Sequence, residues 1–190
     1  MPRIVTTHLQ QLSPDALIPA ARRLPDGCRI ERAEDISPEF SKFLYRSVGS
    51  AWHWTDRLPL SRAEWEAAVR RPGTETWVLY AAGSPGGYVE LAGAGGPDGT
   101  EVEIVYFGLF PERIGAGLGG ALLEEGLRRA WNLHERWPGL APVRRVWVHT
   151  CSLDGPAALG NYRARGLEVF RTKEADQDPQ DASVGLWPRH

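Results

Sequence analysis

The chain has little cysteine, no long apolar run and almost no net charge, and each shortage removes a class of protein. Cys28 and Cys151 are its only cysteines in 190 residues. They show no metal-ligand spacing, and two thiols make no secreted disulfide framework. No metal site is expected. No stretch reaches the roughly 18 apolar residues of a membrane span. Met1-Pro2-Arg3-Ile4 lacks the apolar run of a signal peptide. A soluble, cytoplasmic protein with no membrane partner is therefore expected. The 22 basic and 24 acidic residues leave a formal charge of −2, which argues against a nucleic-acid partner.

What is present reads as one domain over residues 1–190, with 1–26 as an N-terminal extension packed upon it. A chain of this length buries roughly 70% of its unfolded surface and needs no covalent staple. Two residue types are plentiful, at 21 glycines and 8 tryptophans. Tryptophan is costly to expose, so eight imply a large core or an aromatic cleft. Trp65, Trp77, Trp131 and Trp147 fall on expected elements and read as core; Trp52 and Trp54 are left as candidate walls of a site.

Periodicity gives a strand over 3–9, a proline-punctuated helical or irregular segment to about Pro25, and a strand over 28–33. Ser37-Pro38 reads as an N-cap with proline at the first helical position, opening a helix over 38–48. Ser61 with Glu64 forms a capping-box pattern for a second helix over 62–70. Strands are expected over 76–81 and 87–91, joined through Gly83-Ser84-Pro85-Gly86, with a loop over 92–99. A long strand over 101–110 leads to a helix over 116–134. A strand over 145–151, a helix over 156–165 and strands over 167–172 and 184–187 complete the chain. The expected class is α/β, a mixed and largely antiparallel central sheet with helices on both faces.

The segment Phe107-Gly108-Leu109-Phe110-Pro111-Glu112-Arg113-Ile114-Gly115-Ala116-Gly117-Leu118-Gly119-Gly120 runs from a strand through a glycine-dense turn into the best helix. A helix's first turn offers unpaired N–H groups and about half a positive charge, so it attracts phosphate. Gly115, Gly117 and Gly120 formally satisfy the dinucleotide fingerprint. That motif belongs after a domain's first strand with several βα units downstream, whereas strands precede it here and 70 residues follow. No Gly-Lys-Ser/Thr closes the turn, which excludes a Walker loop.

At these residues the sequence resembles the GNAT superfamily of acyl-CoA-dependent N-acyltransferases. Ile114-Gly115-Ala116-Gly117-Leu118-Gly119 matches that family's Arg/Gln-x-x-Gly-x-Gly/Ala turn, except that Ile114 stands where Arg or Gln is usual and Arg113 sits one residue earlier. Asp154-Gly155-Pro156, Tyr162 and Arg165-Gly166-Leu167 resemble the second cofactor segment, with Gly155 in place of a common Asn and Asp154 beside it. Residues 74–172 carry the resemblance. It implies a sheet splayed near its centre, acetyl-CoA as co-substrate with its pantetheine arm along residues 107–110, and acyl transfer to a primary amine of a small molecule or peptide. Homodimers are common in that superfamily.

Such a transfer needs a base for the ammonium and an acid for the thiolate. Glu103 matches the basic Glu of histone-type members; Glu101 shares its sheet face, and Glu90 is expected to face the same cleft. Each has a plainer reading as a solvated carboxylate paired with arginine. Tyr162 matches the family's general acid, or else is a structural tyrosine. A backbone N–H near Leu109 is the expected oxyanion donor. Trp52, His53, Trp54 and Asp56 would border the acceptor pocket or simply connect two helices, and His149 ends a strand near the cleft. Two other readings remain open: an acyl-CoA sensor without turnover and a nicotinamide-dependent oxidoreductase.

Overall fold

The computed structural model describes residues 3–176. The strand expected over 184–187 lies outside the described residues. In chain order the elements are β1 (Arg3–Gln11), β2 (Cys28–Arg32), α1 (Pro38–Gly49), α2 (Arg62–Val69), β3 (Thr74–Ala81), β4 (Ser84–Gly96) and β5 (Gly99–Leu109). They continue with α3 (Leu118–Trp131), α4 (Leu133–Arg136), β6 (Val143–Cys151), α5 (Ala158–Ala164) and β7 (Glu168–Asp176). One seven-stranded sheet runs in the order β2-β3-β4-β5-β6-β1-β7. Every neighbouring pair is antiparallel except β5 and β6. The mixed α/β class stands, and this order is not that of a doubly wound dinucleotide domain.

Alternation along the strands divides the core between two helical layers. Trp77, Leu79, Val89 and Leu91 point to one face, where they pack with Leu122, Leu123 and Leu127 of α3. Val78 and Tyr88, one residue out of phase, point to the other and meet Leu44, Tyr45 and Val48 of α1 and Trp65 of α2. The capping box at Ser61 and Glu64 is formed, and Ser37 caps α1 as its sequence predicts.

Several boundaries differ from expectation for identifiable reasons. The β3–β4 turn is the two-residue pair Ala82-Gly83, both at positive φ (51° and 83°), so Ser84 already belongs to the strand. The glycine-rich 92–96 stretch is strand, paired with 99–103, and the turn is confined to Pro97-Asp98. Glycine serves close approach there: a methyl group on Gly93 would sit 2.5 Å from Leu133. Helix α3 starts at Leu118, because Gly117 takes a left-handed φ of 77° at its N-cap.

Glu75 ties β3 to the segment after α3. Its side chain is wholly buried, accepting from Arg136 at 2.8 Å twice, Trp77 Nε1 at 2.9 Å and Trp137 Nε1 at 3.0 Å. Burial pushes the carboxyl up, but the Arg136 and Trp77 donors outweigh it and hold its pKa below the usual range.

One irregularity positions everything that follows. Glu90 pairs with Tyr106 but Leu91 with Ile104, so Val105 is an extra residue in β5. The parallel ladder to β6 ends at the same point, at Ile104 opposite Val148. Beyond it β5 runs on alone along this edge, and the last residues of β6 pair only with β1. The expected splay is real, and it begins at a bulge.

Candidate active site

A cleft of about 940 Å³ occupies the gap where β5 and β6 part. Its wall on the β5 side is a backbone edge without a strand partner. Phe110 N–H donates to Gly86 of β4, so the alternating N–H groups of Phe107 and Leu109 point the other way, into the gap. Phe107, Gly108 and Leu109 all line it.

At one end the cleft meets the first turn of α3. Gly115 and Gly117 both take positive φ (84° and 77°), which exposes the loop backbone to the gap. The helix has no side-chain cap and no acidic residue in its first turn, so its leading N–H groups stay open. Ile114, Gly115, Gly117, Gly119 and Gly120 border the cleft. Their donors and the helix dipole suit a diphosphate. Asn161 and Tyr162 of α5 close this part from the opposite side.

At the other end Glu103 and His149 face each other across the parting strands, with Oε1 4.0 Å from Nε2. Burial raises the Glu103 pKa, opposed by Arg71 and reinforced by the neighbouring Glu90 charge. Burial also lowers the His149 pKa, against the pull of Asp154 and Asp56, so the imidazole is neutral at pH 7. Asp56 is exposed on the same rim and accepts from the Tyr45 hydroxyl at 2.7 Å and from the Tyr106 hydroxyl. Trp54 donates its indole N–H to Asp154 at 3.4 Å, and a methyl on Gly155 would lie 3.2 Å from Trp52. The two tryptophans therefore join the α1–α2 connection to the loop before α5, walling the cleft. His53, held at a left-handed φ of 56°, lines it beside them.

Tyr162 is 5% exposed, and its ring centroid lies 5.8 Å from that of Phe107. Its hydroxyl has no hydrogen-bond partner among the described residues. Burial, with the Asp154 charge adding to it, raises its pKa and keeps the phenol protonated. Asp154 borders the cleft but is occupied by Thr150 Oγ1 at 2.6 Å and Cys151 N–H at 2.9 Å, so it anchors the loop.

Other expected residues sit elsewhere. Glu90 is 1% exposed and held by Arg57 at 2.6 and 2.8 Å, outside the cleft lining. Glu101 pairs with Arg145 at 2.9 Å. Arg113 folds onto Gly86 and cannot stand in for the missing cation at Ile114. Phe110 packs against Phe43 and Leu118 is core beneath α3; neither lines the gap, nor does Ala116. Trp147, expected as core, is only half-buried and stacks on His8 at 6.5 Å. Sequence reasoning missed Asn161, whose only signal is its place beside Tyr162, and underrated His149. Arg22, which the sequence did not single out, and Arg165 of the second segment flank the glycine turn. Among the described residues no cluster of potential metal ligands is found, and no helix is long and apolar enough to cross a membrane.

No protein-family model matches the sequence, and no curated protein does. Solved structures do. The chain is similar to a GCN5-related N-acetyltransferase from Sphaerobacter thermophilus at 18% identity and TM-score 0.59, over 90% of this chain and 50% of that one. It is likewise similar to a GCN5-related N-acetyltransferase from Kribbella flavida at 18% identity and TM-score 0.57, over 88% and 55%. An aminoglycoside acetyltransferase from an uncultured soil metagenomic sample, in complex with trehalose, matches at 15% identity and TM-score 0.54, over 74% and 88%. The chain spans only 50–60% of the length of the first three solved structures it matches.

Proposed function

We propose that this chain, which has the fold of the GCN5-related N-acetyltransferases, moves an acetyl group from acetyl-CoA to a primary amine. The observation that carries this reading is the cleft itself. One opening joins an uncapped glycine-rich helix start, an unpaired strand edge and a half-buried carboxylate along α3 and β5. An extended ligand with phosphates at one end and a reactive group at the other fits that sequence of partners.

Acetyl-CoA supplies the activated thioester. The first-turn N–H groups of α3 bind its diphosphate, and the free N–H and C=O groups of Phe107 to Leu109 pair with the amides of the pantetheine arm. The Leu109 N–H, which faces the gap, stabilises negative charge developing on the acyl oxygen. Asp56, Trp52, His53 and Trp54 form the rim that admits a cationic amine.

Glu103 accepts the proton from the ammonium, directly or through one water, and the neutral amine attacks the thioester carbonyl. The C–N bond forms and the C–S bond breaks; the phenol of Tyr162 donates its proton to the departing thiolate, and the proton that the nitrogen sheds in becoming a neutral amide passes through water to restore the phenol. A raised Glu103 pKa makes it a stronger base than a solvated carboxylate, and a raised Tyr162 pKa keeps the acid protonated until needed. Both residues line the same cleft, which supports this division of roles.

Thiol release from acetyl-CoA across polyamines, amino acids, aminoglycosides and peptide N-termini tests the reading. Turnover with at least one amine is expected. Acetyl-CoA binding with no turnover on any class would instead support an acyl-CoA sensor.

A further inference from the structure

The glycine turn lacks a cation of its own facing the cleft, since Ile114 lines it and Arg113 turns away onto Gly86. Two guanidinium groups nevertheless reach the start of α3 from elsewhere in the chain. We infer that Arg22 and Arg165 hold the diphosphate of the acyl-CoA nucleotide, replacing from outside the loop the charge that position 114 does not supply. This inference rests on the acyl-CoA reading and names the residues of this chain that recognise the anion.

Arg165 follows the end of α5 and is 8% exposed. Its Nε is fully buried without a hydrogen-bond partner, and a methyl group built on Gly120 would lie 3.3 Å from its Nη1. Its backbone carbonyl accepts from Gln11 Nε2 at 2.8 Å and from Ile18 N–H at 3.2 Å, which fixes the point where the side chain begins.

Arg22 comes from residues 12–27, the connection between β1 and β2. These strands stand sixth and first in the sheet order, so the connection must cross the molecule. It does so over α3, where Ala20 N–H donates to Glu124 at 2.7 Å. Two residues on, a methyl group built on Gly117 would lie 3.2 Å from Arg22 Nη1. Neither guanidinium makes a hydrogen bond or a close ion pair among the described residues; Glu124, near enough to feel the Arg165 charge, is itself engaged by Arg128 and Ala20 N–H.

Two cations beside the positive end of a helix, the nearby Glu124 already shared with Arg128, repel it and each other. Such an arrangement is unfavourable alone and becomes favourable when an anion lies between them. A diphosphate matches in charge and in geometry, because the planar guanidinium donates to phosphate oxygens through paired N–H groups.

The test measures the dissociation constant of CoA by calorimetry for the unmodified protein and for Arg22→Ala, Arg22→Lys and Arg165→Gln. Thermal midpoints and turnover of S-acetylpantetheine, which keeps the thioester and lacks the phosphates, are measured alongside. Arg22 is exposed, so Arg22→Ala folds normally and decides the matter even if Arg165→Gln proves unstable. Arg22→Ala is expected to weaken CoA binding about tenfold and leave S-acetylpantetheine turnover unchanged, with Arg22→Lys between the two proteins. Unchanged CoA affinity in Arg22→Ala, or an equal loss with S-acetylpantetheine, overturns the inference while leaving the acyl-CoA reading in place. An unmodified protein with no affinity for CoA overturns both.

Discussion

Replacing Glu103 with Gln removes the carboxylate at nearly constant size and separates proton removal from ligand binding. An alkylammonium of pKa about 10.4 is neutral in only about one molecule in a few thousand at pH 7, a cost of about 4–5 kcal/mol. A positioned base typically recovers about 10²- to 10⁴-fold of that in rate. Here the carboxylate keeps 27% side-chain exposure, and of the two cations that act on it, Arg71 is exposed and Arg57 is already paired with Glu90. Water therefore reaches it, and a relayed transfer places the loss in the lower part of that range, about 10²- to 10³-fold in kcat. The assay is thiol release from pH 5 to 9 at saturating acetyl-CoA with the best amine, together with the acetyl-CoA dissociation constant. Glu103 acts only when ionised and its pKa is raised, so activity should fall with falling pH at a value above the ordinary carboxylate range. In Glu103→Gln that limb should vanish with affinity intact, whereas His149→Gln should keep it. A variant with the unmodified protein's kcat and the same acidic limb would refute the assignment.

Tyr162→Phe deletes only the hydroxyl, which has no partner among the described residues, so the thermal midpoint should hold while kcat drops about tenfold to hundredfold. Unchanged turnover with acetyl-CoA bound would remove Tyr162 as the acid. Glu75→Ala leaves Arg136 and Arg32 facing each other without their carboxylate and should cost about 3–5 kcal/mol, or about 10 °C in Tm. The folded-state pKa of Glu75 is depressed, so its contribution is full above the unfolded carboxylate value and is lost as pH falls through the folded one. Thermal melts from pH 7 to pH 3 should show the unmodified protein converging on the variant; a constant gap would contradict a stabilising role for the ionised Glu75.

Much of the fold was legible because its signals are local. Ser37-Pro38, the Ser61–Glu64 box and the apolar stripe of α3 each state an element within a few residues. The glycine turn leading into α3 was legible for the same reason. What escaped was set by tertiary register. Residues 101–110 read as one continuous strand, and nothing local marks Val105 as the residue left out when Glu90 meets Tyr106. Glycines 93–96 read as loop because a sequence cannot distinguish a glycine that turns from one that lets Leu133 approach. Glu90 was expected in the cleft, but its fate was decided by Arg57, 33 positions away. Arg22 and Gly117 meet only because the β1–β2 connection crosses α3, which follows from a strand order that no local pattern contains.

The central claim is that the gap between β5 and β6 binds an acyl-CoA. Calorimetric titration of the full chain with acetyl-CoA and, separately, with NADH tests it without knowledge of the amine. One saturable site for acetyl-CoA and none for NADH is the expected result. Tight NADH binding with no response to acetyl-CoA would contradict it.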